Sequence, residues 1–192
     1  MFDRFFGKGG TPATAATATP APATPAGPAG DTATVRRIVG KLEAMPPDEA
    51  RLIASAAYIL ARAANADQDI SAEETAVMEA ALQRDDALDE ATAVLVVEMA
   101  KLQAKTVGGT EDFVVTREFR SLATDEQCMN VLRACFLIGA ANGSISAEES
   151  AVANEIANEL EIDDATLAAL RAEFTDQMSA VQELRRLAAG GA

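Results

Sequence analysis

The chain has 192 residues and contains no histidine, no tryptophan, one tyrosine and two cysteines. Without histidine it lacks the commonest general base, the commonest metal-ligating side chain and the usual partner of a catalytic serine or cysteine. Neither a serine nor a cysteine sits in a recognisable nucleophile setting, so no catalytic residue is assigned and the chain is read as a non-enzyme. Only carboxylate- or metal-dependent chemistry would remain open to an enzyme built from it. Cys128 and Cys135 lie seven apart on one expected helix. That is roughly 10 Å along the axis, too far for a disulfide between them. They read as buried free thiols of a reducing cytosol.

Long apolar runs are also missing. Charge interrupts every candidate well before the roughly 18 apolar residues of a membrane span, and the N-terminus lacks the apolar core of a secretory signal. The expected location is the cytoplasm, with the inner face of the membrane as a peripheral site. Aromatics make up 4% of the chain while hydrophobic residues make up 49%. The core must therefore be mostly Ala, Leu, Ile and Val, a composition suited to closely packed helices. No proline follows Pro47, which leaves the rest of the chain free to run as packed helices.

What is present divides by composition. Residues 1–8 hold Phe2, Phe5 and Phe6 at the i, i+3, i+4 spacing of one helical face, with Arg4 and Lys8 beside them. This segment is a candidate docking element for a partner groove or a membrane surface; the other readings are a loose tail and a tail that folds back on the domain. Residues 9–31 are rich in Pro, Ala and Thr and read as a disordered linker. Residues 32–189 read as the folded domain. Up to Gly30 the chain carries a net charge of +1, so the remainder carries −15 of the total −14. So negative a globule repels nucleic acid and attracts cations or basic protein surfaces.

The periodicity predicts helices over about 34–44, from Asp48 to Ala63, over 72–84, 90–105 and 111–122, from Asp125 to Ala141, over 147–160, from Asp164, and over 176–188. Within this run lies a duplication. Residues 66–77 read ADQDISAEETAV and residues 141–152 read ANGSISAEESAV, identical at eight of twelve positions with an offset of 75. The expectation is an all-α bundle of about seven to nine helices built from two helix–loop–helix repeats, about 48–105 and 124–175, related by a pseudo-twofold axis.

Ser71 and Ser146 are expected to be helix N-caps. Glu74 and Glu149, three residues on, complete a capping box, while Glu73 and Glu148 complement the helix N-termini. Ile70 and Ile145 precede the caps and are expected to plug the core. Asp67, Asp69, Glu73 and Glu74 place several carboxylate oxygens around one loop, as a hard cation such as calcium requires. Helix and loop capping is the other role open to the same acids. The second-copy equivalents, Asn142, Ser144, Glu148 and Glu149, have lost two formal charges and form a weaker candidate.

A hydrophobic helix followed by the pattern A-D-G-x-I-S-x-x-E at the start of a second helix, present twice, resembles the TerB-like family. That family takes in tellurite-resistance proteins and the N-terminal domains of membrane-anchored DnaJ-like co-chaperones. The resemblance covers about residues 35–175. It implies an all-helical bundle of about seven core helices, an acidic surface associated with metal binding, and a stress-response role in membrane-associated protein complexes. The motif acid falls on Asp67 and Asn142 and the motif glutamate on Glu74 and Glu149. The motif glycine is Gly143 in the second copy but Gln68 in the first, where a left-handed backbone is harder to adopt. Two functions follow: a module binding a cation or a basic protein, and a metal-free adaptor docking through its Phe-rich segment.

Overall fold

The computed structural model describes residue 36 and residues 39–84, 88–106 and 112–190. The segments read as a docking element and a linker, 1–8 and 9–31, lie outside the described residues. After a helical stretch at 39–43 come eight helices. They are α1 (Pro47–Ala64), α2 (Ala72–Gln83), α3 (Glu90–Thr106), α4 (Asp112–Leu122), α5 (Asp125–Gly139), α6 (Ala147–Glu159), α7 (Asp164–Glu173) and α8 (Ser179–Gly190). Among the described residues there is no strand, and no helix is long and apolar enough to cross a membrane.

Helix α1 starts where Pro47 can occupy the first helical position without forfeiting a bond, and Asp48 and Glu49 complement its N-terminus. Its second half is buried without a break from Ser55 to Ala61 and again at Ala63 and Ala64. A helix buried so nearly all round must be central, and α1 does pack against α2, α3, α4, α5 and α6. Its alanines let those neighbours approach closely. The large side chains come from the partners: Met78 of α2, Val97 of α3, Phe119 of α4, Leu132, Phe136 and Ile138 of α5, and Ile156 of α6. Phe136 stacks on Phe174 at 5.4 Å between ring centroids, which closes the bundle beside α7.

The far C-terminus differs from the expected single helix over 176–188. A short 3-10 turn, Thr175–Gln177, comes first, and Met178 then adopts an extended backbone before α8 starts at Ser179. The cause is a pairing with the second repeated loop. Ile145 donates its N–H to the Gln177 carbonyl (2.7 Å) and accepts from the Ser179 N–H (2.9 Å). A helix running through 178 would have no such groups free.

Cys128 and Cys135 are both buried and unbridged. Burial pushes both thiols up, Cys135 to about 12, so neither is a nucleophile at neutral pH.

Candidate functional site

Both repeated loops fold around the same set of hydrogen bonds. Ser71 caps α2, its hydroxyl accepting the Glu74 N–H at 3.2 Å while Glu74 Oε2 accepts the Ser71 N–H at 2.7 Å. Ser146 caps α6 identically, at 3.1 Å and 2.6 Å. Upstream, the Asp67 carboxylate accepts the Asp69 N–H at 3.1 Å, and the Asn142 amide oxygen accepts the Ser144 N–H at 3.2 Å. Between them the backbone passes through positive φ, 71° at Gln68 and 93° at Gly143. Gln68 therefore takes the left-handed turn that its missing glycine was expected to disfavour. The matching bonds on both sides hold it there. Further along the chain, Asp89 caps α3 through the Thr92 N–H, and Asp163 caps α7 through the Thr166 N–H.

The capping glutamates are more than caps. Glu74 is 2% exposed and Glu149 6%, and each uses only one carboxylate oxygen. Oε1 of Glu74 and Oε1 of Glu149 are buried and accept no hydrogen bond. Burial pushes the Glu149 carboxyl above its ordinary range against the bonds from Ser146, and the charges of Glu74 and Asp67 push it the same way. The acids of the first loop are thus felt inside the second. Glu149 also lies against α5 at Gly139, where an added Cβ would sit 3.5 Å from its carboxyl carbon.

The remaining candidates are spread out. Asp67, Asp69, Glu73, Asn142 and Glu148 are exposed, and Ser144 is half-buried. Among the described residues no three acidic or cysteine side chains are grouped at metal-binding distances. Asp67, Asp69, Glu73 and Glu74 are thus not gathered into one such group among the described residues. What the fold buries is one glutamate from each loop, Glu74 and Glu149, and the charges of Glu74 and Asp67 reach the Glu149 carboxyl. Ile145 plugs the core as expected, at 2% exposure, whereas Ile70 is only partly buried.

Two features lay beyond the sequence reasoning. One is the strap of residues 177–179 on the second loop. The other is Arg62, whose guanidinium reaches Glu159 at 2.7 Å, Glu155 at 3.0 Å and Asp112 at 3.5 Å. Tyr58 donates to the same Asp112 at 2.6 Å. Burial opposes the Arg62 charge, but the bonds to Glu159 and Glu155 and the field of Asp112 outweigh it and hold its pKa up. This hub fastens α1 to α4 and α6. Its signal in the sequence was an arginine set among Ala61, Ala63 and Ala64 in the central helix.

A family model described as tellurite resistance protein TerB matches residues 52–172, well over half of the chain. The chain belongs to the TerB family. No curated protein and no solved structure matches it. The matched span opens within α1 and closes within α7, so it takes in both loops and both glutamates. TerB-family membership makes the chain a helical module of the tellurite-resistance type, in a family that is generally non-enzymatic.

Proposed function

We propose that this TerB-family chain is a non-enzymatic stress-response module that takes up a divalent cation between its two loops and presents an acidic face to a basic protein partner. The observation that carries the cation reading is the pair of buried, unpartnered oxygens, Glu74 Oε1 and Glu149 Oε1. A buried carboxylate oxygen without a donor is costly, and a cation relieves that cost as a hydrogen bond would. Asp67 adds a third negative charge from the rim. Two carboxylates suit a cation that keeps several of its waters, as magnesium does, better than one that needs six to eight protein oxygens. The ion would supply charge neutralisation and would tie the two loops together.

The acidic face rests on the charge of −15 carried beyond Gly30. Basic protein surfaces, including those of membrane-associated complexes, are its natural counterparts, and nucleic acid is not. The adaptor reading, without metal, keeps the same face and drops the ion.

Calorimetric titration of the EDTA-stripped full chain with magnesium, calcium and zinc separates the two. Saturable binding of one ion, weakened at least tenfold by Asp67→Asn and abolished by Glu149→Gln, supports the cation module. Heats indistinguishable from dilution for all three ions leave the adaptor.

A further inference from the structure

The two repeated loops account for one end of the molecule. The side made by α1, α3 and the stretch leading into α1 carries something unrelated. There an apolar groove is lined by Leu42, Met45, Ile53, Ala57, Val96 and Met99, with Gln103 as its one polar liner. Its volume is about 160 Å³. That matches the roughly 150 Å³ an apolar cavity needs to hold one benzene ring. Apolar surface continues past it: Met99 is 60% exposed and Leu102, on the same helix, 67%.

From these observations we infer that the groove is the intramolecular seat of the Phe-rich segment, residues 1–8 of this same chain, with a phenyl ring of Phe2, Phe5 or Phe6 in the cavity. Three features select this occupant. The first is where the chain enters. Leu42 and Met45 are both lining residues and nearly the first described residues, so the N-terminal stretch departs from the groove's own rim. About 30 residues separate position 8 from position 39. A flexible chain of that length reaches roughly 30 Å, more than the about 25 Å length of a helix like α3. Tethering at that reach gives an effective concentration near the millimolar range, so a weak contact suffices.

The second is shape and chemistry. Phenyl rings fit the cavity, and the two methionines that flank it adapt to rings and attract them. Three of the chain's seven phenylalanines lie in that one segment. The third is charge. Glu43 and Glu49 are exposed, follow or precede the liners Leu42 and Ala50, and have no ion-pair partner among the described residues. Arg4 and Lys8 flank the phenylalanines.

Methionine-methyl NMR of the full chain tests this. Against a Phe2→Ala/Phe5→Ala/Phe6→Ala variant, ring currents should move the Met45 and Met99 methyl resonances at every protein concentration, and leave those of Met78, Met129 and Met178 in place. Met99→Glu, at an exposed site that the fold tolerates, should abolish the Phe-dependent shift of Met45 and speed chymotryptic cleavage after Phe5 and Phe6 severalfold. Identical Met45 and Met99 resonances in wild type and triple-alanine protein would overturn the inference. So would shifts that appear only on concentration, which put the segment of a second copy in the groove. Phe-dependent binding to phosphatidylglycerol-containing vesicles that leaves Met99 unmoved on its addition would overturn it too, in favour of a membrane anchor. None of these outcomes bears on the loop glutamates.

Discussion

The loop that precedes α2 and the loop that precedes α6 have one backbone and two surroundings. In the first, the residue at positive φ is Gln68, between Asp67 and Asp69, and Ile70 beyond it is only partly buried. In the second, it is Gly143, between Asn142 and Ser144. Ile145 is fully buried there, its backbone is paired with Gln177 and Ser179, and the Gln182 side chain donates to the Gly143 carbonyl at 3.0 Å. The second loop is strapped down and uncharged at its tip, while the first is open and charged. Geometry and charge have separated: hydrogen bonds that survive in both loops keep the shape, and the acids that survive in one can be spent on a ligand. Glu74 and Glu149, kept in both, are where the two meet.

Breaking the strapped loop should give the largest effect. Ile145→Ala removes a buried side chain and is expected to cost about 3 kcal/mol in denaturant unfolding, against about 1 kcal/mol for the half-buried Ile70→Ala. Equal costs would mean that burial does not distinguish the loops. Swapping the turn residues should give responses of opposite sign. Gly143→Gln meets no atom within 4 Å of its new Cβ, so its cost of about 1 kcal/mol is the backbone's alone. Gln68→Gly relieves that same strain and gives back a few tenths, the rest being offset by glycine's greater freedom when unfolded. The caps, by contrast, should respond alike: Ser71→Ala and Ser146→Ala are each expected to cost about 1 kcal/mol. A difference well beyond that between them would show that only one box is formed in solution.

The smallest effect is one of pH. Glu149 holds its proton more tightly when folded, because burial and the charges of Glu74 and Asp67 disfavour its anion. Its contribution to stability is therefore full below the ordinary carboxyl range and is lost as pH rises through the raised value. Stability measured in EDTA should fall from acid toward neutral pH relative to Glu149→Gln, whose side chain does not titrate. Asp163, held down by Thr166, has the reverse sign, with stability present above its ordinary value and lost as pH falls. A flat difference between wild type and Glu149→Gln across that range would remove the buried-carboxylate account.

Much of this was legible in the residues. The capping boxes at Ser71 and Ser146 form as their spacing requires, because a serine followed three residues later by glutamate satisfies its bonds locally. A third box, Thr124 with Gln127, starts α5 in the same way. Local rules also set the helix starts at Pro47 and Ala72. Long-range facts were out of reach. Nothing near Glu149 in sequence says that Glu74 and Asp67 bear on it from 75 and 82 positions away, and nothing near Ile145 names Gln177 as its partner. Glu73 looked equal to Glu74 as a ligand, yet the helix turns only Glu74 inward, and Asp69 stays exposed in the loop before it. Gln68 shows the limit of propensity, since a residue poorly suited to positive φ adopts it when the bonds on either side allow no other path.

The central claim is that Glu74 and Glu149 share a cation, with Asp67 at its edge, and thermal unfolding tests it most directly. The full chain, stripped with EDTA, is melted with and without magnesium or calcium, beside Asp67→Asn, which keeps the turn as Asn142 does, and Glu149→Gln. At ten times the dissociation constant, binding should add about 1.4 kcal/mol and raise Tm by roughly 3–5 °C. The gain should shrink in Asp67→Asn and vanish in Glu149→Gln. A Tm that millimolar magnesium and calcium leave unmoved, or that rises equally in wild type and Glu149→Gln, would contradict it.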